Sequence, residues 1–161
     1  VKIGLSMGKS CTTYNCTGVG TPMFSAVQNV TEGRYFSCKI PVIADGQIRE
    51  VGDVCKALVA GANMIMIGSE FAKCEDSPAD IIGGPALDNI NKKVFYGSAS
   101  STNKGHDGYV EGHTVYMDMR NETYLQYFDR INQGVQSCMS YAGIEKILDL
   151  SEMEYQIHTN N

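Results

Sequence analysis

A single cysteine lies in a loop that is rich in glycine and hydroxyl side chains. Cys11 follows Gly8-Lys9-Ser10 and precedes Thr12-Thr13, and this loop comes directly after a short apolar strand predicted over residues 1–5. A thiol becomes a strong nucleophile once it is partly deprotonated. Glycine allows backbone N–H groups to approach an anion closely. Cys11 is therefore the candidate nucleophile of the chain.

Composition restricts the class of partner. The 161 residues carry a formal net charge of −5, with 43% hydrophobic and 19% charged residues, as in an ordinary folded domain. A negatively charged chain is poorly suited to nucleic acid or to an anionic membrane, and the sequence has no apolar run of membrane-spanning length. We therefore expect neither partner, whereas a small anion held by local backbone amides is compatible with this charge.

The six cysteines are interpreted as reduced thiols. Most lie in apolar segments, where a thiol packs as a small hydrophobe, and no CxxC pair or His/Cys cluster indicates a zinc site. In the absence of a secretory signal, this usage favours a reducing cytoplasm. The packing interpretation covers Cys16, Cys38, Cys55, Cys74 and Cys138.

Strands and helices alternate in the first part of the chain. Short apolar strands are predicted at 1–5, 40–46 and 64–69, each ending at a glycine with a polar neighbour. One intervening helix is predicted from Thr21-Pro22 to about Gly33, with threonine as N-cap and proline at the first helical position, and another from Val51 to Gly61. This βαβ rhythm, with continuous apolar strands, is typical of a parallel sheet.

The loops after these three strands are expected to gather at one face. That layout is typical of the (β/α)₈ TIM barrel, an α/β fold whose active site lies at the C-terminal ends of its strands. A complete barrel needs about 250 residues. We therefore predict that residues 1–150 supply about the last three βα units of such a barrel. The remaining units would come from further barrel segments or from a partner.

The stretch from 98 to 120 is predicted to form a flap over the active site. It is polar and bears glycines, and it lacks periodicity until Thr114–Met117. Before it, Ser77-Pro78 is expected to start a helical turn that Gly83-Gly84-Pro85 interrupts.

A closing helix and a tail are predicted at the end of the sequence. Apolar residues from Tyr124 to Met139 recur at helical spacing, and the helix is expected to end at Gly143. Residues 151–161 are expected to form a mobile polar tail.

Several short motifs occur in a fixed order along the chain. Their order and spacing, up to about Leu150, resemble the C-terminal half of the IMP dehydrogenase and GMP reductase family of barrels. The motifs are Gly8-Lys9-Ser10-Cys11-Thr12-Thr13, Thr17-Gly18-Val19-Gly20, Ile43-Ala44-Asp45-Gly46, Gly52-Asp53-Val54 and Ile67-Gly68-Ser69.

Later motifs are similar to the reductase branch of that family. These are Phe95-Tyr96-Gly97-Ser98-Ala99-Ser100, Lys104-Gly105, Val110-Glu111-Gly112 and Ser140-Tyr141-Ala142-Gly143. The dehydrogenases carry an Arg-Tyr pair in the flap, where the arginine activates water, and here the pair is Gly108-Tyr109. The resemblance therefore implies NADPH-dependent reductive deamination of GMP to IMP, with release of ammonia through a cysteine-linked purine intermediate.

The resemblance also implies roles for individual residues. Cys11 would attack purine C2, and Thr13 would help the amine to leave. Asp45 would hold the ribose hydroxyls, and Glu111 would contact the purine edge. The full substrate-binding set is Lys9, Asp45, Gly46, Gly68, Ser69, Tyr96, Gly97, Ser98 and Glu111, and the backbone carbonyls of Ser6, Gly8 and Cys11 would bind K⁺.

Simpler interpretations stay open beside these roles. Lys9 could be a solvated loop charge, Asp45 could cap the next helix, and Tyr96 could fill the core.

The sequence departs from the family pattern at three places, and these departures leave alternatives open. Gln47 replaces a glycine and could crowd the phosphate, Gly4-Leu5-Ser6 replaces a Gly-x-Gly, and Ser101 replaces a glutamate that works in proton transfer. One alternative is an IMP dehydrogenase, and another is a nucleotide-binding relative with impaired catalysis. The resemblance further implies a homo-oligomer, specifically a tetramer.

Overall fold

The computed structural model describes residues 1–33, 40–83, 91–106 and 108–157. The first part alternates strands and helices. In order these are β1 (Lys2–Ile3), α1 (Thr13–Thr17), α2 (Met23–Thr31), β2 (Ile43–Asp45), α3 (Val51–Val59), β3 (Met64–Met66) and α4 (Ser69–Ala72). They are followed by β4 (Ile81–Ile82), β5 (Lys92–Phe95), α5 (Ser101–Lys104), β6 (Val115–Asp118), α6 (Tyr124–Ala142) and a 3₁₀ helix (Ile147–Glu152).

The predicted parallel sheet is confirmed. Strands β1, β2 and β3 pair in parallel in that order, with Lys2 opposite Ile43 and Ile43 opposite Met64. Each strand is shorter than predicted, because the chain turns into its loop soon after the last paired residue. The sheet brings the loops after β1 and β2 together, as the alternation of strands and helices predicted.

The two predicted helices between the strands are present, with one change at the start of α2. Pro22 is the N-cap, with an extended backbone at φ −54° and ψ 136°, so the helix begins one residue later than predicted. Helix α3 begins with a capping box in which Glu50 and Asp53 satisfy each other's backbone amides. Burial alone would raise the pKa of Asp53, but hydrogen bonds from the Arg49 and Glu50 amides lower it overall.

Helix α6 closes the core by packing on α3. Both helices contribute fully buried side chains, and Tyr127 of α6 is only 1% exposed. The close approach depends on Gly134, because a Cβ at that position would lie 2.2 Å from Cγ1 of Val51. The predicted extent of α6 is confirmed, since Thr123 caps its start and Gly143, at φ 67°, ends it.

A second, antiparallel sheet holds the flap. Strand β5 pairs with β4 on one side and with β6 on the other, with Phe95 opposite Val115. The predicted periodic segment Thr114–Met117 overlaps β6, whereas the pairing with β5 was not predicted. The flap therefore starts just after β5 and ends with β6, so the pairing of these two strands holds both of its ends.

The helical turn predicted at Ser77-Pro78 is wrong. The ammonium group of Lys93, which is 1% exposed, donates to the carbonyl oxygens of Ser77 at 2.8 Å and Glu75 at 3.3 Å. These carbonyl oxygens bind the buried lysine, and residues 77–80 form no helix. The short helix lies earlier, at α4, and Gly84-Pro85 lies outside the described residues.

The first part of the predicted tail makes contacts with the rest of the fold. Ser151 and Glu152 belong to the 3₁₀ helix, and the Tyr155 ring lies 5.1 Å from the Phe24 ring in an edge-on contact. Residues 158–161 lie outside the described part of the chain. Within the described ranges, the structure has no helix that is both long and apolar enough to cross a bilayer.

Replacing Gly134 with alanine should destabilise the protein. The new Cβ would overlap Val51, a branched side chain that cannot move aside freely, at a cost of about 1–3 kcal/mol. The matched control is Gly52→Ala in α3, where the Cβ meets nothing within 4 Å and the helix should gain about 0.5 kcal/mol. Denaturant unfolding checks both, and equal stability of the two variants would contradict the packing of α6 on α3.

Candidate active site

The loop after β1 is held by close backbone contacts with the loop after β2. A Cβ at Gly4 would lie 1.8 Å from the carbonyl oxygen of Asp45, so a side chain at this position is excluded. The amide of Gln47 donates to the carbonyl of Met7 at 3.0 Å, and the amide of Cys11 donates to that of Gly8 at 3.1 Å. These contacts fix the position of the cysteine relative to Asp45.

The flap lies on the cysteine loop through main-chain hydrogen bonds. The Thr12 amide donates to the carbonyl of Glu111 at 2.9 Å, and the His113 amide donates to that of Ser10 at 2.9 Å. Cys11 and Gly112 are thus opposite each other in an antiparallel bridge. A Cβ at Gly112 would lie 3.0 Å from backbone atoms of Ala99 and Ser100. At this residue the flap therefore passes tightly between the cysteine loop and the segment 99–100.

Three side chains form a chain of hydrogen bonds at this junction. The Cys11 thiol donates to Thr13 Oγ1 at 3.2 Å, and the Thr13 hydroxyl donates to Glu111 Oε2 at 2.7 Å. Both contacts are partly buried. A proton can therefore pass from the sulfur toward a carboxylate through one hydroxyl group.

The thiol faces a cleft of about 380 Å³, which lies within the range of small-molecule sites. The cleft brings together eight of the residues predicted for the site. They are Ser6, Gly8, Cys11, Asp45, Gly46, Gly97, Ser98 and Glu111.

The other predicted site residues lie outside this cleft. Thr13 is linked to it by its hydrogen bonds to Cys11 and Glu111. Tyr96 lines a separate cleft beside Asp80, and Lys9 is exposed. Gly68 and Ser69 lie at the start of α4, where a Cβ at Gly68 would be 3.6 Å from the Phe95 ring.

Sequence reasoning missed Lys2 as a neighbour of the candidate site. Its ammonium group lies 2.6 Å from Oδ2 of Asp45, a residue that lines the cleft. The available signal was a charged residue in an otherwise apolar strand, on the face that the parallel register shares with Asp45. The second oxygen of the carboxylate is not part of this ion pair.

The structure gives the contacts made at two of the departures from the family pattern. Gln47 has a left-handed backbone at φ 57°, but its side-chain oxygen accepts from the Met23 amide at 3.3 Å and is not part of the cleft lining. The loss of a carboxylate at Ser101 does not leave Thr13 without one, because Glu111 already accepts its hydroxyl proton.

The described cysteines differ in exposure, from the buried Cys55 and Cys74 to the exposed Cys16. Burial, followed by contact with Cys138, raises the pKa of Cys55 to about 11, and burial also raises that of Cys74. Cys16 is exposed, so the packing interpretation is wrong for this residue, because its position on the short helix α1 is open to solvent. Cys38 lies outside the described residues.

Similarity to known proteins shows the family to which this chain belongs. Residues 1–160 match the IMP dehydrogenase / GMP reductase domain, so the chain belongs to that family of mixed α/β proteins. Three similar proteins, all named GMP reductase, come from Chromobacterium violaceum, Mesoplasma florum and Staphylococcus saprophyticus, with 38%, 35% and 34% identity. The matches cover 96%, 97% and 99% of this chain and 46%, 47% and 47% of the respective relatives. The chain thus spans about half the length of the curated relatives it matches.

Alkylation should distinguish the buried Cys55 from the exposed Cys16. At pH 8 a thiol with a pKa of about 11 is ionised to only about 0.1%, so Cys55 should react with iodoacetamide much more slowly than the exposed Cys16. The protection of Cys55 should be lost as the pH rises toward 11 or when the protein is unfolded. Peptide mass spectrometry over time checks this, and alkylation of Cys55 at the rate of Cys16 in folded protein would contradict it.

Proposed function

We propose that the protein is an NADPH-dependent GMP reductase that converts GMP to IMP and releases ammonia. The observation that carries the proposal is the hydrogen-bonded series Cys11, Thr13 and Glu111 at the wall of a cleft that also contains Asp45. The names of similar proteins support the same reaction. The protein would work on purine mononucleotides in a reducing cytoplasm.

The chain's own residues can generate the nucleophile. As the Cys11 sulfur approaches C2 of the purine, its proton passes to the Thr13 oxygen while the Thr13 proton passes to Glu111. The distances of 3.2 and 2.7 Å match the direction of donation that this transfer needs. The result is a thiolate at the substrate and a neutral carboxylic acid behind the threonine.

The bond changes balance over the reaction. The sulfur forms a bond to C2, the bond from C2 to the exocyclic nitrogen breaks, and the amine leaves as ammonia with a proton returned through Thr13. When NADPH is bound, its hydride would go to C2, and the bond from C2 to sulfur would break with its electron pair returning to the sulfur. IMP would leave, and the Cys11 thiolate would take up a proton from solvent.

The hydride is the contribution of bound NADPH. Space for a second planar group is compatible with the observed site, because Cys11 is only partly buried and Gly8 and Ser98 beside it are exposed. These residues would therefore lie along the side from which the hydride arrives.

The nucleotide would be held at its ribose and at its phosphate. Asp45 has one carboxylate oxygen paired with Lys2 and the other available to the ribose hydroxyls. Backbone groups of Gly46, Gly97 and Ser98 in the cleft wall would contact the phosphate. The proposed phosphate set also includes Lys9, Gly68, Ser69 and Tyr96, which lie outside that wall.

A potassium ion at the carbonyls of Ser6, Gly8 and Cys11 is part of the same proposal. All three residues line the cleft. The Gly8 oxygen accepts from the Cys11 amide, and a carbonyl oxygen has a second lone pair for a cation. The ion would hold the loop in place. Within the described ranges, no group of three His, Cys, Asp or Glu side chains could bind a metal instead.

The parallel sheet is proposed to belong to a (β/α)₈ barrel, with residues 98–120 as its flap. Strands β1 and β3 are its edges, and Met64 and Met66 on β3 are 59% and 43% exposed. Further strands on these edges would cover such apolar side chains. A homo-oligomer, with a tetramer as the specific form, completes the proposal.

Removing the thiol should abolish turnover. In the full-length protein, Cys11→Ala is expected to reduce GMP-dependent NADPH oxidation by at least about a thousandfold, since no other group can bond to C2. The matched control is Cys16→Ala, an exposed cysteine of the same loop and helix, which should retain activity. Undiminished turnover of Cys11→Ala would end the proposal. NAD reduction with IMP would favour the dehydrogenase alternative, and GMP binding without turnover in the unaltered protein would favour the impaired relative.

Removing the charge of Glu111 should affect the chemical step. Glu111→Gln keeps the size and an acceptor oxygen for Thr13 but cannot take up a proton, so kcat should fall by about a hundredfold or more. GMP binding, measured by calorimetry, should change little. A weaker GMP affinity with unchanged kcat would instead favour the predicted contact of Glu111 with the purine edge.

A further inference from the structure

A buried carboxylate that the proposed chemistry does not use lies in α4. Glu70 is only 2% exposed, and its two oxygens accept from the Lys73 ammonium at 2.7 and 2.8 Å. Oε2 also accepts from Nη2 of Arg120. A buried charge is costly unless it is paired and hydrogen-bonded. Glu70 therefore holds both cations in fixed positions.

Arg120 connects the end of the flap to this carboxylate. It follows β6 by two residues, and its amide donates to the carbonyl of Lys73 at 2.8 Å. Its guanidinium lies 4.6 Å from the centre of the Tyr127 ring. Burial alone would lower the pKa of Arg120, but the hydrogen bond from Arg120 to Glu70 and the charge of Glu70 raise it overall. Arg120 therefore keeps its positive charge.

A second carboxylate lies at the outer side of the same cluster. Glu122 accepts from Arg130 at 2.9 Å and lies 3.7 Å from Arg120. Its side chain is 31% exposed, against 2% for Glu70. Glu122 thus shares Arg120 with Glu70 but lies farther from the interior, which makes it a matched comparison.

Glu70 joins the segment 68–69, which the proposed function places at the phosphate, to the end of the flap. It follows Gly68 and Ser69 directly, and Gly68 lies against Phe95, the last residue of β5, which is followed by Gly97 and Ser98 in the cleft wall. Through Arg120 it also holds the end of the flap strand β6. A shift of about 1 Å in such a support can cost a large factor in binding or rate.

We propose that Glu70 is a positioning residue: through Lys73 and Arg120, it keeps the segment 68–69 and the end of the flap at the spacing that binds the nucleotide phosphate. The inference rests on the proposed function. It adds a residue that contacts neither the nucleotide nor the thiol.

The test compares Glu70→Gln with Glu122→Gln in the full-length protein. The amide of Glu70→Gln keeps the shape but cannot balance two cations, so the KM for GMP should rise by about tenfold while kcat changes by less than about twofold. Affinity for guanosine, which lacks the phosphate, should be unchanged by calorimetry. Glu122→Gln should leave both values near those of the unaltered protein. A general loosening of the fold would weaken GMP and guanosine alike.

The outcomes separate this inference from the proposed function. If the unaltered protein does not oxidise NADPH with GMP, the proposed function fails. If it does, and Glu70→Gln weakens GMP and guanosine equally or leaves the KM unchanged, the positioning role is overturned. Should Glu70→Gln not fold by circular dichroism, Arg120→Lys carries the test, because it keeps the charge and loses the planar fork. A KM for GMP equal to that of the unaltered protein would then overturn the inference.

Discussion

The candidate site depends on one hydrogen bond between residues that are 98 positions apart in the sequence, from the Thr13 hydroxyl to the Glu111 carboxylate. Thr13 belongs to the loop and helix that follow the first strand of the parallel sheet, whereas Glu111 belongs to the flap that the antiparallel sheet supports. The two sheets therefore have to be placed correctly relative to each other for this hydrogen bond to form. The main-chain bonds from Thr12 to Glu111 and from His113 to Ser10 restrict that placement.

The parallel sheet, the helices between its strands and α6 could be predicted because their signals are local. Apolar strands, helix caps and glycine stops lie within a few residues of the elements they define, and the parallel sheet and α6 follow from them. The antiparallel sheet could not be predicted, because its pairing joins short strands across long stretches of polar sequence. Ser77-Pro78 shows the same limit, since the carbonyls there bind Lys93, which is 16 residues away from Ser77.

Residue type and motif predicted the candidate residues but not the contacts between them. Glycine-rich loops and a cysteine indicate chemistry, and eight of the predicted residues do line one cleft. The position of Glu111 against Thr13 and the pairing of Lys2 with Asp45 depend on distances that no spacing rule contains. The same holds for Gln47, whose left-handed backbone and contact with the Met23 amide at the start of α2 were not predicted.

The contact between the flap and the cysteine loop is made by main-chain atoms, Thr12 to Glu111 and His113 to Ser10. Peptide groups are the same in every residue type apart from proline. A flap residue such as Tyr109, which is 71% exposed, can therefore be replaced without loss of this docking, whereas Gly112 is fixed by its lack of space and Glu111 by its contact with Thr13.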